Sequence, residues 1–302
     1  MQTKTLFVVV GPTAVGKTEL ALRLAERFQT EIVGADSRQI YRDLPIGTAA
    51  PTLDERRRVR HHLVGTLGLT DYYSAARYER DALDRIAEIH SRRPAAVLSG
   101  GSMLYVDAVC SGIDDIPSIR EDIRLDLQRR LADEGLEALA DELLRRDPDY
   151  HSRCDLRNPK RVVHALEICR QTGRTYTSFR RAEVKTRPFR IVKIGLDRPR
   201  EELFARINAR TSEMVERGWL DEARSVLPFR AENALNTVGY KELFRYFDGA
   251  WTLDFALERI RKNTRVYAKK QLLWFRKDPS VRWFHPCETE AALRYAEEAL
   301  CE

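Results

Sequence analysis

Short apolar runs and amphipathic stretches alternate along the first hundred residues of the chain. Residues 6–10 form an apolar run rich in β-branched side chains, which predicts a buried strand, and residues 31–36 and 94–99 read the same way. Between these runs, Leu20, Leu24 and Phe28 recur at helical spacing, and residues 53–60 and 73–89 also have a helical pattern. The alternation predicts an α/β fold with a parallel sheet flanked by helices.

This alternation stops between residues 114 and 187. Helical periodicity covers 119–131, 136–144 and 159–171, with a start signal at Pro117-Ser118 and Gly173 as the C-cap of the third helix. A strand pattern then resumes at 189–196, followed by helices at 200–227 and 255–275, a short strand at 281–284 and a last helix. We therefore predict an α/β core formed by 1–113 and 188–302, with a helical insertion domain at 114–187.

The first predicted strand leads directly into a phosphate-binding pattern. The pattern G-x-x-x-x-G-K-[ST] is matched in full by Gly11, Pro12, Thr13, Ala14, Val15, Gly16, Lys17 and Thr18. Glycines let backbone N–H groups surround a polyphosphate, and the N-terminus of the following helix adds positive potential. Lys17 can reach the outer phosphate, and the Thr18 hydroxyl can hold Mg²⁺. The pattern predicts a diphosphate or triphosphate site without naming the ligand.

Two further turns follow the next predicted strands. Asp36 comes at the end of the second strand, and Gly100-Gly101-Ser102 comes after the third. Ligands of open α/β sheets bind at the carboxyl ends of strands, so we expect Asp36 to lie near the phosphate loop. Asp36 is either a general base or metal partner, or a cap of the following turn, and the pattern leaves both roles open. The third strand lacks the terminal aspartate that a typical nucleotide triphosphatase places on its metal-binding strand.

Positive charge is concentrated in two stretches. The chain carries a net charge of +6, whereas residues 157–193 alone carry +9 and residues 255–285 carry +7. Such segregation is typical of a nucleic-acid-binding surface. The alternative is a pair of ordinary solvated helix faces.

The cysteines and the hydropathy of the chain indicate the cellular compartment in which we expect the protein. The five cysteines are scattered, without a C-x-x-C pair, and their number is odd, which favours reduced thiols in the cytoplasm. No apolar run approaches the length of a membrane span, and residues 6–10 are too few for a signal-peptide core. We expect a cytoplasmic protein without a membrane segment, and a monomer, since nothing in the sequence demands a dimer.

Seven motifs in the chain, taken together, resemble the tRNA dimethylallyltransferase (isopentenyltransferase) family. They are GPTAVGKT at 11–18, DSRQIYR to IGTA at 36–49, HHL at 61–63, GGSMLY at 100–105, RNPKRVVHALE at 157–167, TVGYKE at 237–242 and NTRVYAKKQLLWFRK at 263–277. The resemblance implies a P-loop NTPase-like core with a helical insertion. It also implies transfer of the dimethylallyl group from dimethylallyl diphosphate to N6 of the adenine just 3′ of the anticodon. The phosphate loop would then hold a prenyl diphosphate rather than ATP.

The resemblance also implies roles for individual residues. Asp36 would be the general base, Lys17 and Arg210 would neutralise the departing diphosphate, and Thr18 would bind Mg²⁺ or support the leaving group. The residues expected to contact the tRNA anticodon stem-loop are Asp36, Ser37, Arg38, Gln39, Ser102, Arg124, Lys160, Arg161, Val162, Val163 and His164. The chain departs from the usual family pattern at Ser102, His164, Asn236 and Lys270, where threonine, arginine, glutamine and arginine are common. At His164 a permanent charge is lost or becomes dependent on pH.

Two other classes of protein share parts of this pattern. A small-molecule kinase that uses ATP would begin with the same strand, loop and helix, but the missing strand-end aspartate and the two basic stretches count against it. A nonenzymatic RNA-binding protein with a degenerate loop is disfavoured by the intact Lys17 and Thr18.

Overall fold

A computed structural model of the chain describes residues 3–114, 116–117, 119–180 and 184–301. The strands in these residues are β1 (Thr5–Val10), β2 (Ile32–Gly34), β3 (His61–His62), β4 (Ala95–Ser99), β5 (Arg190–Leu196) and β6 (Val281–Phe284). The helices are α1 (Lys17–Arg27), α2 (Leu53–Arg58), α3 (Ala75–Arg92), α4 (Met103–Ser111), α5 (Glu121–Asp133), α6 (Gly135–Arg146), α7 (Pro148–His151), α8 (Pro159–Thr172), α9 (Arg200–Glu216), α10 (Trp219–Ser225), α11 (Tyr240–Phe247), α12 (Leu253–Phe275) and α13 (Thr289–Cys301). Among the described helices, none combines the length and hydrophobicity that crossing a bilayer requires.

The six strands form one parallel sheet in the order β3-β2-β4-β1-β5-β6. Side chains of β1 alternate between the two faces, and both faces are covered by helices. Phe7 and Val9 pack with Leu24 of α1 and with α13 in one cluster, whereas Val8 packs with Ile86 of α3 in the other. The predicted α/β class, with a parallel sheet flanked by helices, is confirmed.

Parallel pairing places the carboxyl ends of neighbouring strands at one edge of the sheet. The segments that leave β1, β2, β4 and β5 at this edge are 11–16, 35–39, 100–102 and 197–199. The backbone carbonyl of Ala35 accepts a hydrogen bond from the Ser102 N–H at 3.0 Å, so two of these segments are directly joined. The edge therefore brings the phosphate loop, Asp36 and the Gly100-Gly101 turn together, as the sequence predicted.

Two elements differ from the sequence-based expectation. The helix predicted for 200–227 is broken, because Gly218 adopts a left-handed conformation with φ of 94° between α9 and α10. This conformation costs little for glycine and cannot continue an α-helix. The break lets Trp219 pack against Tyr240 and Leu243 in a separate buried cluster. The two-residue strand β3 also joins the sheet, although its sequence is too short to carry a strand pattern.

The chain divides into two compact units by its internal contacts. A core unit comprises Met1–Cys110 with Thr186–Glu302, and a helical unit comprises Ser111–Lys185. The boundaries predicted from sequence were 114 and 187, a few residues further along the chain. The predicted start signal at Ser118 lies outside the described residues, and α5 begins at Glu121.

The helical unit has its own apolar core and a buried acidic centre. Leu127, Leu139 and Leu166 belong to the core formed by α5, α6 and α8. The Glu142 carboxylate accepts hydrogen bonds from the guanidinium groups of Arg130 at 2.6 Å, Arg146 at 2.7 Å and Arg170 at 2.9 Å. Although burial opposes it, these bonds lower the pKa of Glu142 to about 2. The carboxylate therefore stays ionised and ties three helical segments together.

Candidate active site

The phosphate loop joins β1 to α1, and two glycines determine its course. Gly11 has φ of 143°, and a Cβ atom there would lie 2.5 Å from the Leu196 carbonyl oxygen. Gly16 has φ of 116° and immediately precedes the first residue of α1. L-residues with side chains rarely adopt either conformation, so glycine at these positions allows the loop to curl over the helix N-terminus. A helix N-terminus at the end of such a loop is a favourable position for an anion.

Lys17 is folded back onto this loop. Its ammonium group donates to the carbonyl oxygens of Gly11 at 3.0 Å and Pro12 at 2.8 Å. Burial lowers the pKa of Lys17 to about 8, the Arg210 guanidinium also lowers it, and the Asp36 carboxylate raises it. Burial removes water from around the ammonium group, and a bound diphosphate would supply negative charge that favours the ammonium form.

We expect the affinity for diphosphate to fall as the pH rises above about 8. The anion favours the ammonium form of Lys17, and the free protein loses that proton through a pKa of about 8. The dissociation constant should therefore rise by about tenfold per pH unit above that value. The measurement is calorimetric titration with inorganic pyrophosphate from about pH 7 to about pH 9.5, at fixed ionic strength.

The matched control for this titration is Lys17→Arg, because a guanidinium group stays charged throughout the range. Pyrophosphate itself ionises in this range, and the ratio of the two dissociation constants removes that contribution. A ratio that stays constant across the range would show that Lys17 does not titrate at the site.

Three arginines approach the phosphate loop, one from the residues just before α9 and two from α9 itself. The Arg198 Nε donates to the Val15 carbonyl at 3.0 Å, and the Arg206 Nε donates to the Ala14 carbonyl at 2.8 Å. The Arg210 guanidinium donates to the Thr13 Oγ1 at 2.6 Å. Burial lowers the pKa of Arg210 from its usual value. Arg206 and Arg210 share one helix face, because they lie four residues apart.

Asp36 is placed for both roles that the sequence left open. Its Oδ1 accepts hydrogen bonds from the backbone N–H groups of Arg38 at 2.8 Å and Gln39 at 3.3 Å, which is the capping contact. The residue also lines the cavity that contains Lys17 and Thr18. Because both capping bonds use Oδ1, the carboxylate can cap the turn and still present Oδ2 to a ligand.

The residues that follow Asp36 mostly bind other parts of the protein. The Ser37 N–H donates to the Ser102 Oγ at 2.8 Å, which links the turns after β2 and β4. The Arg38 guanidinium donates to the carbonyl oxygens of Asn233 at 2.5 Å and Ala234 at 3.2 Å. The Gln39 amide donates to the Thr48 carbonyl at 3.2 Å and the Ala49 carbonyl at 3.0 Å. These side chains therefore shape the wall of the site.

Gln271 of α12 holds the site together and was not singled out from the sequence. Its side chain is buried, with the Oε1 accepting from the Thr13 N–H at 2.8 Å and the Nε2 donating to the Gly101 carbonyl at 2.8 Å. One amide thus joins the phosphate loop to the turn after β4. The sequence contained one indication of this role, since Gln271 is an uncharged polar residue on the buried face of an otherwise basic helix. Arg198 was also missed, although it lies two residues after the carboxyl end of β5.

Two cavities meet at this edge of the sheet. One, of about 380 Å³, is lined by the phosphate-loop residues, and the other, of about 480 Å³, lies beside Gly47 and Asn236. Both are lined by Thr13, Asp36, Thr48, Arg210, Met214 and Tyr267. The shared lining shows that the two cavities adjoin, and Asp36 and Arg210 belong to their common wall. We refer to the two cavities together as the active-site passage.

The helical unit carries the other predicted tRNA-binding residues. Lys160, Arg161 and His164 are exposed on α8, whereas the side chains of Val162 and Val163 are buried in the core of the unit. We therefore assign these two valines to packing, because side chains in that core do not reach a ligand. Arg124 and His164 both face the buried Glu167 carboxylate, at 3.6 Å and 3.3 Å.

The cations of the two basic stretches have different environments in the structure. In the first, Arg170 pairs with Glu142, Arg187 with Glu79, and Lys193 with Asp278, so these cations stabilise the fold. This part of the stretch is structural, which neither the nucleic-acid interpretation nor that of solvated helix faces had predicted. The second stretch lies on α12, where Lys262, Lys269 and Lys270 are exposed.

Comparisons with known proteins were made for the sequence and for the fold. The family model described as IPP transferase matches residues 39–278. A protein of Bacteroides thetaiotaomicron named tRNA dimethylallyltransferase 1 is 58% identical over 291 residues, covering 96% of this chain and 94% of the relative. The crystal structure of a full-length tRNA isopentenylpyrophosphate transferase from Bacillus halodurans superimposes with a TM-score of 0.71 at 36% identity, covering 99% of this chain and 97% of that one.

A second structural relative is a eukaryotic dimethylallyltransferase that was crystallised acting on tRNA. It superimposes with a TM-score of 0.80 at 25% identity, covering 97% of this chain and 78% of that one. The family match spans most of the chain, and the phosphate loop, Asp36 and the α9 arginines form one site within the same fold. The chain therefore belongs to the IPP transferase family, the tRNA dimethylallyltransferases.

Proposed function

We propose that the chain transfers the dimethylallyl group of dimethylallyl diphosphate to N6 of the adenine immediately 3′ of the anticodon in tRNA. The observation that carries this proposal is the passage in which a phosphate loop and a carboxylate share one lining: Lys17, Thr18, Arg210 and Asp36. The comparisons support this transferase over the small-molecule kinase that the loop alone left open.

The reaction exchanges one bond for another at the first carbon of the dimethylallyl group. The N6 amine forms a bond to this carbon while the bond from carbon to the diphosphate oxygen breaks, and the electron pair of the broken bond leaves with the diphosphate. The nitrogen then carries a positive charge and must lose a proton. We assign that proton to the Asp36 carboxylate, which caps its turn through Oδ1 alone.

The departing diphosphate gains negative charge as the bond breaks. Lys17, Arg210 and the N-terminus of α1 are positioned to neutralise it. Mg²⁺ takes few protein ligands and completes its shell with phosphate oxygens and water. The described residues contain no cluster of three or more acidic, histidine or cysteine side chains that suits a metal. Thr18 fits a Mg²⁺ ion shared with the diphosphate, and such an ion would supply additional positive charge.

The adenine must leave the base stack before its amine can be alkylated. Extrusion of a base costs less free energy in a single-stranded loop than in a duplex, so a base of the anticodon loop is a suitable substrate. We propose that the base enters through the cavity of about 480 Å³ and the diphosphate through the cavity of about 380 Å³. The two substrates then meet at Asp36 and Arg210, and together they exclude water from a carbocation-like dimethylallyl group. Ser37 and Arg38 line the cavity that would receive the base, and Gln39 lines the other cavity. Ser102 would support the base from behind, through its hydrogen bond with the Ser37 N–H.

The helical unit supplies further residues that we propose for binding RNA. Arg124, Lys160, Arg161 and His164 are the side chains of this unit that we assign to tRNA. We further propose that the protein works as a monomer in the cytoplasm, on tRNAs with an adenine-rich anticodon loop.

Binding of tRNA should weaken steeply with salt. Each phosphate that a cation neutralises contributes nearly one unit to the slope of log affinity against log salt concentration. We expect Lys160→Ala and Arg161→Ala each to flatten this slope by about one unit. The slopes are measured by fluorescence anisotropy with a labelled anticodon stem-loop.

Arg145→Ala is the matched control for these two variants, because Arg145 is also an exposed cation of the helical unit but lies on α6. It should leave the slope unchanged. A parent affinity that does not depend on salt would contradict the assignment of these cations to RNA phosphates.

The direct test of the function uses tRNA and dimethylallyl diphosphate labelled in the dimethylallyl group. We expect label in the RNA and one released pyrophosphate per labelled adenine, located by nuclease digestion of the product. Binding of tRNA without transfer would indicate a nonenzymatic RNA-binding protein. ATP consumption with a phosphorylated small molecule would indicate a kinase.

A further inference from the structure

A cavity of about 870 Å³ lies in the core unit between α9, α12 and the end of β6. It shares no lining residue with the two cavities of the active site. α12 contributes Val266 and Lys269 to this cavity, and Tyr267 and Gln271 to the active site, so the helix presents opposite faces to the two sites. We refer to it as the α9–α12 cleft.

The floor of the α9–α12 cleft is apolar and aromatic. Phe204, Val266, Trp283 and Phe284 line it, and 47% of Val266 is exposed. The guanidinium groups of Arg200 and Arg265 lie 5.0 Å and 5.4 Å from the centre of the Phe204 ring. Concave apolar surfaces of this size with a few polar groups at the edge are typical of small-molecule sites.

The rim of the cleft is cationic. Arg200, Lys262 and Lys269 line it, and none of the three forms an ion pair with another residue in the part of the chain that the structure describes. Asp197 is the one carboxylate among the lining residues, and it pairs with Arg276. Of the lining arginines, Arg198 pairs with Glu202.

A helix terminus adds to this positive potential. α9 begins at Arg200 without a side-chain cap, and its first turn brings Arg200 and Leu203 to the cleft. Glu201 and Glu202 lie in the same turn and offset part of its positive potential. The cleft thus combines an apolar floor with cations that lack counter-charges.

We propose that the α9–α12 cleft binds an amphipathic anion, a small molecule with a flat apolar body and a phosphate-like head. The body packs on Phe204, Val266 and Trp283, and the head lies between Arg200, Lys269 and the N-terminus of α9. A nucleic-acid backbone fits this cleft less well, because it would leave the apolar floor exposed to water. The cleft is therefore a second ligand site on the face of α12 that points away from the reaction.

The test uses 1-naphthyl phosphate as the probe, with inorganic pyrophosphate present at saturation to fill the phosphate loop. Calorimetry should show one bound probe per chain. The probe should bind at least about tenfold more tightly than 1-naphthol or inorganic phosphate, because each of these retains only one half of the interaction. Equal binding of 1-naphthol, equal binding of phosphate, absence of binding, or displacement by pyrophosphate would each overturn the proposal.

Two variants localise the probe. Val266→Glu places a negative charge on the floor and Lys269→Glu reverses a charge at the rim, and both should weaken binding by at least about tenfold. Leu273→Glu is the matched control, because Leu273 is 54% exposed on the same helix but does not line the cleft. All three positions are exposed, so the thermal midpoints should stay near that of the parent. Unchanged affinity in Val266→Glu, or an equal loss in Leu273→Glu, would overturn the assignment.

Discussion

The Asp36→Asn variant is expected to transfer the dimethylallyl group about 10²–10⁴ times more slowly in a single turnover, the usual cost of losing a general base. An adenine amine is a poor nucleophile, because its lone pair is delocalised into the ring, and alkylation leaves a cationic nitrogen. Asparagine keeps the oxygen that accepts hydrogen bonds from the N–H groups of Arg38 and Gln39, but it cannot accept a proton. The rate is measured by rapid quench, with enzyme in excess over tRNA and with dimethylallyl diphosphate at saturation.

Measurements of stability and of rate distinguish the capping role of Asp36 from its role as a general base. If capping were the only role, the substitution would lower stability and leave the chemistry of the folded protein intact. The thermal midpoint, tRNA affinity and pyrophosphate affinity should instead stay near the parent values. Asp71→Asn is the matched control, because Asp71 caps a turn through the Gly68 N–H at 2.7 Å and lines neither active-site cavity. A single-turnover rate within a few-fold of the parent would leave Asp36 as a cap alone.

Replacing Lys17 by alanine should weaken binding of dimethylallyl diphosphate by about 10²-fold and slow transfer by about 10²–10³-fold. In the free protein, the ammonium group donates only to two loop carbonyls among the hydrogen bonds that the described residues make with it. Its positive charge is therefore available to a bound diphosphate. Binding is measured by calorimetry and transfer by the labelled-substrate assay.

The affinity for tRNA separates this effect from general damage to the fold. Lys17→Ala should bind the anticodon stem-loop like the parent, since the loop cavity is the proposed diphosphate end of the passage. Lys160→Ala should show the reverse pattern, with weaker RNA binding and normal pyrophosphate binding. Normal turnover in Lys17→Ala would rule out its role at the leaving group.

Local patterns were sufficient to predict most of the regular structure. Apolar runs identified β1, β4 and β5, and helical spacing identified α1, α3, α8 and α12, with boundaries that differ by a few residues. The exceptions are instructive. The two residues of β3 are held by pairing with β2 rather than by their own pattern. The break between α9 and α10 depends on a single glycine, and the surrounding apolar spacing continued through it.

The sequence predicted where the site lies in the fold, but it did not predict which groups its side chains contact. Parallel strands bring their carboxyl ends to one edge, so the neighbourhood of Asp36 and the phosphate loop followed from strand order alone. The partners of each side chain did not follow from it. The two valines of α8 belong to a core, and Arg38 and Gln39 bind backbone carbonyls of the protein itself. Charge counts along the chain did not separate the cations that form internal ion pairs from those that face solvent.

The sequence by itself determined the phosphate loop, the α/β class and the motifs of a tRNA dimethylallyltransferase, because each of these depends on residues that are close along the chain. Only the tertiary structure decided that Gln271 joins the loop to Gly101, that Arg198 and Arg206 brace the loop, and that α12 separates the active site from the α9–α12 cleft. Gln271 lies 258 residues from Thr13 along the chain, and their hydrogen bond exists because the sheet brings α12 to the edge where β1 ends. Contacts of this kind depend on how distant elements pack, which no local pattern of residues encodes.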